Sequence, residues 1–332
     1  MDWLPSASRG IILPLTFGSC QAVLPELAPA AHRRTGSRPL LHSSLTLVFT
    51  TTTEIPLFWT AHGPKGAERA LVLHGGPGAH HDYLLPQMLA LAANRELVFY
   101  DQRGGGQSRT DDPAPITWQT LVTDLGAVID ELQLQPLTII GYSWGAMLAL
   151  LYAIDAASNP SLPAPRRMVL IDPAPLSREW RQQFEAEFQR RQTGPDARRL
   201  RDELAASGLR ESDPEAWRKR QFELGVAGYF ADPARAADLT PFRVTGKVQQ
   251  SVWESLGDFD LIPRLSALNI PALFVHGWRD PIPVDSTLAA ARAMNARCVV
   301  LEASGHVPYV EQPDALFSAI EQFLEDTSER MG

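Results

Sequence analysis

The chain has 332 residues, of which 45% are hydrophobic and 20% charged, and its formal net charge is -8. This composition is that of a globular protein with a sizeable core, and it excludes the disordered and fibrous classes. The acidic balance gives no basic stripe for binding phosphate, so we expect no nucleic-acid partner. No apolar run is long enough for a transmembrane helix, so we expect no membrane span.

The beginning of the chain contains a segment with some features of a signal sequence. The apolar run from Ile11 to Phe17 has the length of a short signal sequence, but Pro14 interrupts it and the sequence before Cys20 is a weak match to a cleavage site. We therefore expect residues 1–44 to form a poorly ordered extension, with an export signal as the alternative. Cys20 and Cys298 lie far apart without C-x-x-C spacing, which predicts no disulfide or zinc site and favours a cytoplasmic location.

From residue 45 onwards, short apolar runs alternate with longer amphipathic stretches. This alternation predicts a mostly parallel sheet of eight strands whose faces are covered by helices. The predicted strands are Leu45 to Phe49, Ile55 to Thr60, Ala70 to His74, Glu96 to Tyr100, Thr138 to Tyr142, Met168 to Asp172, Ala272 to His276 and Arg297 to Leu301. The predicted helices are Thr117 to Leu132, Trp144 to Asp155, Asp285 to Met294 and Pro313 to Leu324.

One stretch breaks this alternation. Residues 173–261 contain no convincing strand, and they are rich in Arg, Glu, Gln and aromatic residues. Trp180, Phe184 and Phe188 recur at helical spacing and predict one apolar helix face, while the charged residues around them predict a solvated surface. The stretch is therefore predicted to be a helical cap inserted into an α/β core. The core itself is predicted to consist of two segments, residues 45–172 and 262–332.

The pentapeptide from Gly141 to Gly145 has the pattern G-x-S-x-G. Three fixed positions arise by chance in many chains, so the setting matters more than the pattern: a predicted strand precedes the motif and an apolar helical run follows it. A sharp strand-to-helix elbow needs glycines where the backbone is crowded, and it raises the serine hydroxyl at the carboxyl edge of the sheet. Ser143 is therefore the predicted nucleophile.

A serine hydroxyl needs a base within hydrogen-bond reach, and the base needs a carboxylate that fixes its tautomer. Two histidines follow Ser143 in the chain. His276 ends a predicted strand, where a packed histidine is expected, whereas His306 lies in a loop of small residues directly after the last predicted strand. We therefore predict that His306 is the general base.

Two aspartates compete for the role of the acid. Asp280 lies in the loop after the strand that ends at His276, which brings it to the same edge of the sheet as Ser143. Asp172 ends the preceding strand, where it would cap the chain as it enters the insertion. We predict Asp280 as the acid, with Asp172 as its rival.

A glycine-rich turn from His74 to Gly78 closes an earlier predicted strand. It is similar to the H-G-G-G type of loop that offers a backbone N–H to a tetrahedral oxyanion. The second N–H would be that of Trp144, directly after the nucleophile. Two preorganised donors of this kind are typically worth about 3 kcal/mol each in the transition state.

Two further patterns are not productive sites. The glycines after Tyr100 do not match the dinucleotide-binding pattern G-x-G-x-x-G, because Arg109 occupies the position of its last glycine. His80 and His81 are adjacent and lack the spacing of H-E-x-x-H. We therefore expect no metal and no organic cofactor.

Taken together, the motifs resemble those of the proline iminopeptidase family of α/β-hydrolases. The matching segments are His74 to Gly78, Asp101 to Ser108, Gly141 to Gly145, Gly277 to Asp280 and Gly305 to His306. The resemblance covers roughly residues 45 to 326 and implies an α/β-hydrolase fold with a cap. By family analogy, Gly76 rather than Gly75 supplies the first oxyanion N–H. The family commonly has glycine where this chain has Tyr142, and often cysteine where it has Gly105.

The resemblance also implies how a peptide substrate would be held. Peptidases of the family bind the free amino terminus of the substrate with cap glutamates. Our candidate for that role is Glu223, with Glu179 and Glu254 as alternates. A buried ammonium group is costly unless a carboxylate pairs with it, so the true residue should face Ser143.

These observations predict a serine hydrolase that works through an acyl-enzyme. Its expected activity is that of an aminopeptidase (EC 3.4.11) that releases proline or another N-terminal residue from small peptides or amides. The alternative is a carboxylesterase (EC 3.1.1) with the same three residues. A non-catalytic binding protein is less favoured, because none of the three is missing. Oligomeric state does not follow from the sequence.

Overall fold

The computed structural model describes residues 47–329. The expectations for residues 1–44, including those for Cys20, lie outside this range. Eight strands form one sheet in the order β1-β2-β4-β3-β5-β6-β7-β8. The strands are β1 (Val48–Phe49), β2 (Phe58–His62), β3 (Arg69–Leu73), β4 (Glu96–Tyr100), β5 (Thr138–Tyr142), β6 (Arg167–Ile171), β7 (Ala272–Gly277) and β8 (Arg297–Leu301).

The sheet is antiparallel at one edge and parallel elsewhere. Strand β2 pairs antiparallel with both β1 and β4, and every pairing from β4 across to β8 is parallel. This confirms the predicted mostly parallel, eight-stranded sheet. The parallel strands direct their carboxyl ends to one edge, and the loops after β5, β7 and β8 meet there.

The second strand begins later than predicted. The sequence predicts a strand from residue 55, but the structure starts β2 at Phe58. Pro56 has no N–H to donate to a ladder. The N–H of Leu57 donates to Oγ1 of Thr50 at 2.8 Å instead of to a neighbouring strand. Regular pairing can therefore start only after these two residues.

Helices cover both faces of the sheet and fill the connection between β6 and β7. They are α1 (Trp118–Glu131), α2 (Trp144–Ser158), α3 (Arg178–Thr193), α4 (Pro195–Ala206), α5 (Leu209–Ser212), α6 (Pro214–Val226), α7 (Gly246–Ser255), α8 (Ile262–Leu265), α9 (Val284–Ala293), α10 (Pro308–Glu311) and α11 (Pro313–Glu329). The four predicted helices correspond to α1, α2, α9 and α11. Within residues 47–329, none of the helices combines the length and hydropathy that a membrane crossing requires.

Helix α2, which follows Ser143, is among the most deeply buried elements of the described residues. Its side chains are buried almost all the way round, which fits its nearly uniform apolar sequence. The helix packs against α1 on one side and against β3, β5 and β6 on the other. Its first residue, Trp144, is buried, so the start of α2 is held firmly beneath the edge of the sheet.

The connection between β6 and β7, residues 173–261, is here named the β6–β7 insertion. Among its described residues the only extended pairing is an isolated bridge between Ser177 and Asp260. The helices α3 to α7 make up most of it. Charged side chains on α3 and α4 pair one turn apart, as in Arg181 with Glu185 and Arg199 with Glu203.

Candidate active site

Ser143 occupies a strained turn between β5 and α2. Its φ angle is +53°, in the left-handed region that non-glycine residues rarely adopt. A Cβ atom at Gly141 would lie 2.6 Å from Cα of Ala146, and one at Gly145 would lie 2.2 Å from the carbonyl oxygen of Leu73. Both glycines of the motif are therefore needed for the close approach of the backbone that forms the elbow.

The structure brings the three predicted residues together in one hydrogen-bonded line. Nδ1 of His306 lies 2.7 Å from Oδ2 of Asp280, and Nε2 lies 2.9 Å from Oγ of Ser143. The ionised carboxylate of Asp280 can only accept, so Nδ1 carries the proton and Nε2 is left to accept from the hydroxyl. We refer to these three residues as the Ser–His–Asp array.

The acid of the array is held by its own loop. Oδ1 of Asp280 accepts a hydrogen bond from the N–H of Ile282 at 2.7 Å, and the side chain is fully buried. Burial alone would raise the pKa of Asp280, but the neighbouring His306 and its hydrogen bond hold that pKa below the usual value. The group is therefore ionised near neutral pH, as an acceptor for the imidazole N–H must be.

The rival acid, Asp172, lies next to this array but is not hydrogen-bonded to His306 among the described residues. Its Oδ1 accepts from the N–H of Gly277 at 2.8 Å. Burial, together with the adjacent Asp280 carboxylate, raises the pKa of Asp172 well above its usual value. A raised pKa makes Asp172 the weaker of the two partners for an imidazolium, and the carboxylate in contact with His306 is that of Asp280.

His276 packs as a buried residue at the end of its strand, as the sequence predicts. Its Nε2 donates to the carbonyl oxygen of Ile282 at 3.1 Å, and its Nδ1 lies 2.9 Å from Oγ1 of Thr287. Burial lowers its pKa, which keeps the ring neutral. Both ring nitrogens are thus engaged away from Ser143.

Acidic and imidazole groups also meet closely enough here to raise the question of a cation. Ligand atoms of Asp172, Asp280 and His306 lie within 4.8 Å of one another. However, Nδ1 of His306 already donates to Asp280, so the histidine nitrogen nearest the two acids has no lone pair to offer. The donor set fits a proton-transfer array better than a metal site.

The glycine-rich loop after β3 lies against the elbow. A Cβ atom at Gly75 would come within 2.9 Å of Cβ of Ser143. The N–H of Gly75 is occupied, because it donates to the hydroxyl of Tyr83 at 2.7 Å. Within residues 47–329, the N–H groups of Gly76 and Trp144 have no hydrogen-bond acceptor. These two N–H groups remain available for a substrate oxygen.

Three residues to which the sequence analysis assigned no role hold the His306 loop in place. The hydroxyl of Tyr142 donates to the carbonyl oxygen of His306 at 2.8 Å. The N–H of His306 donates to the carbonyl oxygen of Tyr229, at 2.7 Å. Glu311 accepts from the N–H of Gly305 with one oxygen and from Ala231 and Asp232 with the other. Only Tyr142 gave a signal in the sequence, through its departure from the family's glycine.

Aromatic rings from the β6–β7 insertion surround the histidine. The ring of Tyr229 lies 5.2 Å from that of His306, measured between centroids. Phe188 and Phe184, from the predicted apolar face of α3, pack on Tyr229 at 4.4 and 6.2 Å. A second group, Tyr83 stacked on Phe242 at 4.3 Å, adjoins the glycine-rich loop. The surroundings of the array are therefore largely aromatic.

The glutamates predicted to bind a substrate ammonium group are placed differently from the expectation. Glu223 is buried, but its two carboxylate oxygens pair with Lys219 at 2.8 Å and Arg220 at 2.7 Å on its own helix. It lines a groove between α4 and α6. Glu179 and Glu254 are exposed, and each accepts from a glutamine one turn away. None of the three presents an unpaired carboxylate to Ser143.

The chain matches the model of the alpha/beta hydrolase family over residues 70–319, a span that contains every residue of the array. The chain belongs to the alpha/beta hydrolase family. The order Ser143, Asp280, His306 along this chain is the same as the order nucleophile, acid, histidine in hydrolases of this fold.

Known alpha/beta hydrolases of several kinds are similar to this chain. A curated proline iminopeptidase of Heyndrickxia coagulans is 26% identical over 278 residues, covering 78% of this chain and 91% of that protein. The crystal structure of proline iminopeptidase from Mycobacterium smegmatis superposes with a TM-score of 0.62 at 23% identity, covering 86% of this chain and 100% of that one. An enol-lactonase from Burkholderia xenovorans LB400 superposes at 0.57 with 21% identity, covering 84% and 100%. The resemblance to proline iminopeptidases is confirmed, and the fold is shared with a hydrolase of different substrate.

Proposed function

We propose that this alpha/beta hydrolase is a serine hydrolase that works through an acyl-enzyme intermediate. The observation that carries the proposal is the unbroken line from Ser143 through His306 to Asp280, with contacts of 2.9 and 2.7 Å. A nucleophile, a base that accepts its proton and a carboxylate that orients the base are the groups that acyl transfer needs.

The steps of the reaction follow from these positions. As Oγ of Ser143 attacks the carbonyl carbon, Nε2 of His306 takes the hydroxyl proton and Asp280 stabilises the imidazolium. The N–H groups of Gly76 and Trp144 accommodate the oxyanion. His306 then gives the proton to the leaving amine or alcohol, and the carbon–heteroatom bond breaks. Water, deprotonated by His306, releases the acyl group and restores Ser143.

We further propose that the β6–β7 insertion acts as the cap of this site. Its Tyr229 accepts a hydrogen bond from the backbone of His306 and lies beside the imidazole. Arg191 of the insertion donates to the carbonyl oxygen of Arg279, in the loop that carries Asp280. A cap attached to both loops would shape the substrate pocket and exclude water from it.

The first candidate activity is the release of an N-terminal residue, such as proline, from small peptides or amides. It is supported by the similarity to curated proline iminopeptidases, which extends over most of both chains. A proline ring or another apolar residue also suits the aromatic surroundings of the array.

The second candidate is a carboxylesterase, and a specific observation favours it. A free-amine substrate needs a carboxylate partner, but Glu223 is engaged with Lys219 and Arg220, and the other two named glutamates face solvent. An uncharged ester needs no such partner, and an aromatic pocket would bind it without an unpaired charge.

One panel of assays tests the proposal and separates the candidates. Purified protein is given prolyl-naphthylamide, other aminoacyl-naphthylamides and p-nitrophenyl acetate, with the Ser143→Ala variant as control. Turnover by the wild type that disappears in the variant supports the serine hydrolase. Preference for prolyl-naphthylamide selects the aminopeptidase, whereas ester turnover without amide cleavage selects the esterase. Equal activity of wild type and variant would contradict both.

A further inference from the structure

Gln102, the second residue after β4, takes no part in the steps above, yet all of its polar side-chain atoms are engaged next to the site. The residue is completely buried. Its Nε2 donates to the carbonyl oxygen of His74 at 2.9 Å. Its Oε1 accepts from the indole Nε1–H of Trp144 at 3.0 Å. One side chain thus connects the glycine-rich loop after β3 to the first residue of α2.

The chemistry of the two partners fixes the orientation of this amide. An indole N–H can only donate, and a backbone carbonyl can only accept. Only a side chain with one acceptor and one donor at this length satisfies both partners, and glutamine is the side chain that has them. An ionised glutamate lacks the donor, and methionine, of similar length, lacks strong groups of either kind.

The connection to the glycine-rich loop is doubled by the backbone. The N–H of Gln102 donates to Nε2 of His74 at 3.1 Å, and Nδ1 of His74 lies 3.0 Å from the carbonyl oxygen of Gly75. Nε2 must therefore be the unprotonated nitrogen of this ring. Burial lowers the pKa of His74 to about 4, so the ring keeps this state near neutral pH. The loop is held through both His74 and Gly75, just before Gly76.

The two segments that Gln102 connects are those whose backbones provide the proposed oxyanion donors, Gly76 and Trp144. We infer that Gln102 is a positioning residue that sets the spacing between these two N–H groups. The inference rests on the proposed function, because it assigns a role only if an oxyanion forms at Ser143. Stabilisation by such donors depends on their preorganised geometry, so a small displacement of either would slow the chemical step.

The test measures a reaction that needs no knowledge of the natural substrate. A fluorophosphonate probe reacts when Oγ of Ser143 attacks phosphorus, the P–F bond breaks, fluoride leaves and His306 takes the proton. The kinetics separate the binding constant of the probe from the rate constant of the chemical step. The variant is Gln102→Met, and the control is Gln107→Met, the same change at an exposed glutamine in the same loop.

For Gln102→Met we expect the rate constant of phosphonylation to fall about 10- to 100-fold. This is at most the effect of removing one oxyanion donor outright, because a displaced donor keeps part of its stabilising effect. The binding constant of the probe and the pH dependence of the reaction should stay as in the wild type, because the Ser–His–Asp array is untouched. Gln107→Met should react like the wild type. A purely structural role for Gln102 would lower only the melting temperature.

Other results would overturn the inference. These are an unchanged phosphonylation rate in folded Gln102→Met, or an equal loss in Gln107→Met. If Gln102→Met does not fold, Gln102→Leu, which also lacks the donor and the acceptor, must show the same selective loss. Failure of both variants to fold would assign Gln102 a structural role only. Failure of the proposed function is visible separately, since wild-type protein would then not be labelled at Ser143.

Discussion

The loops that carry the Ser–His–Asp array and the β6–β7 insertion differ in what fixes their side chains. In the loops, neighbouring backbones leave no room: a Cβ atom at Gly277 would lie 2.0 Å from the carbonyl oxygen of Gly305. In the insertion, charged side chains pair one turn away on the same helix, as Glu223 does with Lys219. Crowding between backbones permits only one arrangement of the loops. Ion pairs within one helix are satisfied locally, so they do not fix where a side chain lies relative to the rest of the molecule.

With the β6–β7 insertion as the proposed cap, this difference would separate the chemistry of the site from its choice of substrate. The positions of Ser143, Asp280 and His306 follow from a crowded backbone that tolerates few sequences. Most of the charged residues of the β6–β7 insertion lie on exposed helix surfaces, where substitutions should have little effect on the core. Substitutions in the two regions should therefore have very different consequences.

The largest effect is expected for Ser143→Ala. The change removes one hydroxyl and leaves both glycines of the elbow in place, so the fold should persist while kcat falls about a million-fold. Steady-state assay and circular dichroism would check this. Ser251→Ala, at a similarly half-buried serine in the insertion, is the control and should keep wild-type activity. Retention of a tenth of the activity by Ser143→Ala would show that another residue is the nucleophile.

The two buried aspartates, Asp280 and Asp172, should differ in their effect on kcat. Asp280→Asn should lower kcat about ten-thousand-fold, because the amide cannot stabilise the imidazolium and favours the wrong histidine tautomer. Asp172→Asn should be much milder, since Asp172 bonds the N–H of Gly277 whereas the carboxylate that accepts from His306 is that of Asp280. Side-by-side kcat values decide the ranking. The opposite order would transfer the role of the acid to Asp172.

A pair of glycine substitutions compares the two regions directly. Gly145→Ala should destabilise the protein by about 2 kcal/mol or more, because the added carbon meets the backbone of Leu73 and His74 at 2.2 to 2.7 Å. Gly246→Ala, at the start of α7, has nothing within 4 Å of the added carbon and should be neutral or slightly stabilising. Urea unfolding measures both. Equal losses in the free energy of unfolding for the two variants would show that the backbone is no more tightly restrained at the elbow than in the insertion.

The smallest effect is expected for Glu223→Gln. Lys219 and Arg220 are about half exposed, so losing their partner should cost less than about 1 kcal/mol. Turnover of prolyl-naphthylamide and of p-nitrophenyl acetate should both stay within about twofold, because both carboxylate oxygens of Glu223 are already paired with Lys219 and Arg220. A change of that size is far below the usual effect of truncating one partner of a buried charge pair. A tenfold loss confined to the free-amine substrate would restore Glu223 as the amine-binding residue.

The sequence was informative where local backbone geometry determines position. The elbow at Ser143 and the loops of Asp280 and His306 could be placed because each follows a strand, and parallel strands end at one edge. The contacts of Tyr229 and Glu311 could not be predicted, since they join segments that are distant in the chain and no motif marks them. The role of Glu223 stays a prediction, because the cations one turn before it, Lys219 and Arg220, pair with its carboxylate and the sequence motif does not reveal that pairing.

The proposed acyl-enzyme at Ser143 is a covalent species that can be trapped and located in the chain. The wild-type protein is mixed with p-nitrophenyl acetate, quenched in acid within the first turnover, digested and mapped by mass spectrometry. We expect an acetyl group on the peptide that contains Ser143, and none on that peptide in Ser143→Ala. Turnover of the ester with the acetyl group on another residue, or with no acylated peptide in the burst phase, would contradict it.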